Sequence, residues 1–175
     1  MSTRTLTLTA VLTALLCVFG PVTLPVGPVP LSLTTAVLMG MALLLGAKRA
    51  CLCCGVYLLI GLAGLPVFSG FSGGPAALLG PTGGFLLGFL PMTAVCGVLC
   101  SRTDSPVLQG MAFLAGTLLL YLCGTCWYAH QAGVSAASAV TVCVLPFLPG
   151  DALKILALLT GGNAIKTRLK KAGLI

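Results

Sequence analysis

Apolar runs long enough to form helices alternate along this chain with short segments rich in Pro, Gly or charge. Read in order, the runs predict six helices. The first covers about Arg4–Phe19 and is ended by Gly20-Pro21. Residues 20–30 carry four prolines and two glycines, a density no regular helix survives. A second helix follows over about Leu31–Gly46, with Lys48-Arg49 marking its end, and a third over about Ala50–Gly64. Residues 65–81 form an apolar Gly/Pro loop. The fourth helix opens at Thr82-Gly83-Gly84, with Pro81-Thr82 as its start signal, and runs to about Cys100. A polar turn holds Arg102 and Asp104. The fifth helix spans about Pro106–His130, a shorter helical piece lies within 131–149, and the sixth runs from about Gly150 to Leu169.

Composition decides what solvent these helices face. Of 175 residues, 58% are hydrophobic and 6% charged, and the mean hydropathy is +1.16. A soluble domain carries about 25% charged residues. This chain cannot cover a water-facing surface, so the expected fold is an all-α integral membrane protein. A crossing takes about 20 residues, so the length allows about six with tight loops and no sizeable soluble domain. The expectation is one six-helix transmembrane domain over residues 1–175. No small-residue cleavage site follows the apolar start, so no cleaved signal peptide is expected.

The net charge of +7 has no basic face with aromatic interleaving behind it, so the partner is a lipid bilayer and not nucleic acid. With the amino terminus placed in the cytoplasm, Arg4, Lys48-Arg49, Arg102 and the tail Lys166, Arg168, Lys170 and Lys171 all fall inside, as the positive-inside rule expects. Both termini are then cytoplasmic, and the three irregular Pro/Gly-rich segments share the outer face. An uncharged irregular loop such as 65–81 is tolerated at membrane depth only if protein covers it or it lines a cavity, which makes it a candidate ligand lid. Lys154 is the one basic residue outside the pattern.

Lys154 lies three residues after Asp151, on one face of the last helix, with Asp151 in the first turn where the helix dipole favours a negative charge. The pair is either an interfacial cap or a site. Ionisable residues near membrane depth cost roughly 2.5–3.5 kcal/mol each on insertion scales, and by default they mark function. Asp151 can accept from a ligand's N–H groups and Lys154 can donate to its oxygens. A second candidate is Gly80-Pro81-Thr82-Gly83-Gly84-Phe85, where helix-start N–H groups attract ligand oxygens and two glycines admit close approach, or else serve close helix packing. It lacks the Gly-Lys-Ser/Thr of a P-loop. Ser72 could add a hydroxyl, and Trp127, near the outer end of the fifth helix with Tyr128, is either part of an interfacial aromatic belt or an apolar wall for a ligand ring. Ala10 and Ala14, one turn apart, let another helix approach closely, from a partner or from within the protein.

Nine cysteines, mostly inside apolar runs, are expected to pack as small buried residues. Cys123-Gly-Thr-Cys126 has metal-site spacing, but a zinc site would want a second pair and usually His, and His130 is the only histidine. No catalytic set, metal site or cofactor is expected: there is no Ser/His/Asp group, and Asp104 and Asp151 should lie on opposite membrane faces.

Val29-Pro30, Gly64-Leu-Pro-Val-Phe68, Leu79-Gly-Pro-Thr-Gly-Gly-Phe-Leu-Leu-Gly-Phe89 and Leu148-Pro-Gly-Asp-Ala-Leu-Lys154 resemble, in order and spacing, the BioY family, the biotin-binding S components of energy-coupling factor transporters. The resemblance runs from about Thr9 to Lys171. It implies a six-helix S-component fold in the cell membrane that captures biotin at the outer face beneath the first, third and fifth loops. It implies that Asp151 and Lys154 contact the polar groups of biotin, and that Ser72 and Pro81–Phe85 line the pocket. It also implies that Ala10 and Ala14 dock a T component, a membrane scaffold coupled to two ATPases. The chain departs from the family pattern at Thr34, where many members carry Gln, at Phe85, where Tyr is usual, and at Ser72, where a longer polar side chain can occur. An S component for another small vitamin and a helix-packing assembly protein without transport are the alternatives.

Overall fold

A computed structural model describes residues 3–24 and 31–173. The described chain is almost entirely helical: α1 Thr3–Phe19, α2 Thr34–Leu62, α3 Pro75–Leu79, α4 Gly83–Ser101, α5 Pro106–Ala132, α6 Ala136–Cys143, α7 Leu148–Ala157 and α8 Asn163–Lys171. Two short strands, β1 Thr23–Leu24 and β2 Leu31–Ser32, pair antiparallel with Thr23 opposite Ser32. The second helix therefore starts at Thr34 and not at Leu31, because residues 31 and 32 are held in that ribbon. Val29-Pro30 lie outside the described residues.

The helical run Thr34–Leu62 is two helices, as expected, and Gly46 is the joint. A straight helix of this length would separate its ends by about 43 Å. Instead Thr35, near its start, and Phe68, just past its end, line the same cavity, while Gly46 lies with Ser101 and Arg102 at the opposite end of α4. The backbone of Gly46 has φ 73° and ψ 174°, a region essentially closed to residues with a Cβ. A methyl group there would meet nothing within 4 Å, so conformation and not space requires glycine. Gly46→Ala is expected to lower stability by about 1–3 kcal/mol, read as an earlier thermal unfolding transition in detergent. Gly55, helical and equally open, is the control: Gly55→Ala should be neutral or stabilising by about 0.5–1 kcal/mol. Equal behaviour of the two variants would remove the turn from Gly46.

The central helix α4 packs between the second half of α2 and α5. Small residues bring these backbones together: Gly97 rests on Ala47, Gly88 on Leu120, and Gly116 on Met92 and Cys96. Met39, Cys53, Cys54, Tyr57, Phe68, Met92, Cys96 and Phe113 fill the interior. Large apolar residues cover the outside, among them Leu59 on α2, Leu118 and Leu122 on α5 and Leu153 on α7, as lipid requires and water does not tolerate. Among the described residues, Gly83–Ser101 and Pro106–Ala132 are each long and apolar enough to cross a membrane, and Thr34–Leu62 reaches that length only with its two halves taken together. The pair Ala136–Cys143 and Leu148–Leu169, bent by 47°, reaches it only if the two pieces are one broken span, and Leu6–Phe19 is a shorter apolar helix.

Two further details differ from expectation. The loop 65–81 contains a single 3-10 turn at Ser69–Phe71 and the short helix α3. The last helix starts at Leu148, with Pro149 in its first turn where the missing N–H costs nothing, and carries a π turn at Leu158–Gly162.

Candidate ligand-binding site

At the end of the molecule where α4 and α7 begin, a cleft encloses about 580 Å³ of empty space with its mouth included. The cleft is narrow, and little of it is wider than a water molecule. Its polar end is built by four elements. Lys154 Nζ donates to Asp151 Oδ1 at 2.8 Å, to the Ser32 carbonyl at 2.8 Å and to Thr35 Oγ1 at 3.0 Å. Those three bonds use every proton of an ammonium group. The other carboxylate oxygen, Asp151 Oδ2, accepts from Tyr121 Oη at 2.6 Å. Asp151 is 6% exposed, so removal from water is offset only because both oxygens and the opposite charge are engaged.

The remaining walls are aromatic and aliphatic. Phe85, Leu86 and Phe89 of α4, Leu120 of α5, Phe147 before α7 and Phe68 of the long loop line the cleft, with Ser69, Ser72 and Thr82 among the polar lining. Phe68 is fixed from behind by an edge-on contact with Tyr57, ring centres 5.5 Å apart, and Tyr57 Oη donates to the Val67 carbonyl at 3.0 Å. Charge at one end and rings along the sides suit a compact ligand with a planar N–H/C=O group and an apolar body.

The structure brings five of the expected residues together here: Asp151, Lys154, Ser72, Thr82 and Phe85. It places five elsewhere. Thr34 is fully buried beside Tyr57, and its neighbour Thr35 faces the cleft in its stead. Gly83 and Gly84 serve packing: a side chain on Gly84 would strike Trp127 and the Cys123 carbonyl, and one on Gly83 the Leu78 carbonyl. The helix-start N–H groups are also spent locally, Gly83 donating to the Gly80 carbonyl and Phe85 to that of Thr82. Pro81 does not reach the cleft. Trp127 stands behind it as a brace, its Nε1 donating to the Gly80 carbonyl at 2.9 Å, and Gln131 holds the Leu79 carbonyl in the same way.

Tyr121, Thr35 and Ser32 are the polar contributors that sequence reading missed. The available signal for Tyr121 was a hydroxyl in the middle of an apolar helix, where it must find a partner. Away from the cleft, Ala10 and Ala14 lie on the exposed side of α1, while Thr9, Thr13 and Leu16 turn inward.

The BioY family model matches residues 1–171. A Thermotoga maritima protein named biotin transporter BioY is 34% identical over 171 residues, covering 96% of this chain and 96% of that protein. A Pyrococcus horikoshii protein named probable biotin transporter BioY is 35% identical over 154 residues, covering 88% of this chain and 91% of its own length. Among solved structures, the S-component for biotin from an ECF-type ABC transporter superposes with a TM-score of 0.88 at 27% identity, over 95% of both chains.

Proposed function

The chain belongs to the BioY family, and from that premise we propose that it is a multi-pass membrane subunit that captures biotin at the outer face of the cell membrane for uptake. Its family and fold are those of the substrate-binding component of a transporter. In this reading residues 1–175 form one transmembrane unit of six crossings with both termini in the cytoplasm, supported by the distribution of Lys and Arg. The observation that carries the ligand assignment is the buried group of Asp151, Lys154, Tyr121 and Thr35 at the polar end of the cleft. A ureido ring supplies N–H donors for the Asp151 carboxylate and a carbonyl for a cation. The thiophane ring and acyl chain suit the Phe85, Phe89 and Phe147 walls. Because Lys154 already has three partners, it engages a biotin oxygen by exchanging one of its bonds to Ser32 or Thr35.

The sequence carries no Gly-Lys-Ser/Thr phosphate-binding motif to draw energy from ATP. Uphill uptake then calls for a T component and ATPase subunits as partners, meeting the protein at the exposed Ala10 and Ala14 face of α1. The test is equilibrium biotin binding by the purified chain in detergent, with a competition panel of other small vitamins. Saturable one-to-one binding that only biotin and close analogues displace is expected. Saturation by a different vitamin, with biotin a weak competitor, would keep the fold and overturn the ligand.

A further inference from the structure

A second cavity lies at the opposite end of α4, under the turn at Gly46, and encloses about 820 Å³ with its mouth included. Its cationic lining comes from three separate places in the chain: Arg49 after the Gly46 turn, Arg102 at the end of α4 and Lys166 on α8. Asp104 also faces it and is bridged by Lys166 at 2.9 Å. Neither guanidinium takes part in a salt bridge among the described residues. Counting Arg49, Arg102 and Lys166 against Asp104, the cavity holds a surplus of two positive charges.

We propose that this cavity binds the phosphate headgroup of an anionic phospholipid. Two arginines converging on one space present planar forks that match phosphate oxygens, and their charge calls for an anion. Depth favours a lipid over a soluble phosphate. The 19 residues of α4 span about 28 Å, close to the thickness of a bilayer's hydrocarbon core. A cavity one α4 length from the outer cleft therefore sits at the headgroup level of the other leaflet. Leu43, Leu44 and Leu45 also line the cavity, and the half-buried Leu44 offers an apolar contact for the first carbons of an acyl chain. Basic pockets between membrane helices at this level are the usual form of headgroup recognition.

Native mass spectrometry of the full chain, released from detergent after titration with phosphatidylglycerol, phosphatidylcholine or inorganic phosphate, tests this. One phosphatidylglycerol should be retained preferentially over phosphatidylcholine. Arg102→Gln should reduce that retention about fivefold and Arg49→Gln with Arg102→Gln roughly thirtyfold, with biotin binding unchanged. Arg102 is exposed, so its single substitution leaves a folded protein even if the double variant does not accumulate. Equal retention of the two lipids, or undiminished retention by Arg102→Gln, overturns the proposal. Displacement of phosphatidylglycerol by millimolar inorganic phosphate would assign the site to a soluble anion and overturn the lipid assignment.

Discussion

Asp151→Ala is expected to weaken biotin binding by about thirtyfold to several thousandfold. The change truncates one partner of a buried, hydrogen-bonded charge pair at 2.8 Å, a loss that costs about 2–5 kcal/mol in comparable interfaces. Two effects contribute. The ligand's N–H donors lose a charged acceptor, and the Lys154 ammonium is left with only Ser32 and Thr35 to hold it. Tyr121→Phe removes one bond to the same carboxylate and leaves the charge pair intact, so its expected effect is smaller, about tenfold, as for a hydrogen bond to a charged group. The single Asp151 variant alone does not separate a binding role from a structural one. A second variant does: Asp151→Leu with Lys154→Met replaces the pair by apolar groups of similar size, which is often neutral or stabilising. Thermal unfolding of that double variant should recover towards wild type while biotin binding stays lost. If binding recovers together with stability, the pair is a structural clamp and not a ligand contact. Binding by Asp151→Ala within about threefold of wild type would remove Asp151 from the site altogether.

The parts of this fold that the sequence makes legible are those written in backbone chemistry and charge. Gly20-Pro21 and Pro106 end or start helices because of what they permit the main chain to do. The joint after the second helix shows as Gly46 followed by Lys48-Arg49, and the structure places the turn at Gly46. Asp151 and Lys154 stand out because charge at membrane depth is costly, and they form the polar end of the cleft. What the sequence hides is the rotation of each helix about its own axis. A helix in lipid can be apolar on every side, so the stripe that fixes the inner face of a soluble helix is absent. Thr34 and Thr35 differ by about 100° on α2, and only the packed structure shows which of them reaches Lys154. Tyr121 is invisible for the same reason until α5 is set against α7. The Gly83-Gly84 pair shows the converse: the sequence marks a place of close approach, and the structure puts Trp127 of α5 against Gly84. The ribbon between β1 and β2 pairs Thr23 with Ser32 in two-residue strands too short to show an alternating pattern.

Ala10→Trp combined with Ala14→Trp is expected to abolish energy-coupled uptake while leaving biotin binding within about threefold of wild type. Both alanines are on the exposed side of α1, one turn apart, while Thr9, Thr13 and Leu16, on an adjoining face of that helix, are already packed inward. Small residues at that spacing let a second helix approach until the backbones nearly touch. Two indoles would hold such a partner away. Overpacking costs about 1–3 kcal/mol per site, so docking should weaken by roughly thirtyfold or more. The ligand cleft is built from β2, the start of α2, the 65–81 loop, α4, α5 and α7, and neither alanine lines it, so biotin binding should persist as long as α1 stays packed on α2. Uptake of labelled biotin into cells or vesicles carrying the T and ATPase subunits, measured beside binding by the purified variant, reads the two functions separately. Loss of both would mean that α1 has been displaced from α2 and the fold disturbed. Undiminished uptake would move the docking face away from α1. Loss of uptake with intact binding would establish that capture and coupling are carried by different sides of this small bundle, joined only through the helices between them.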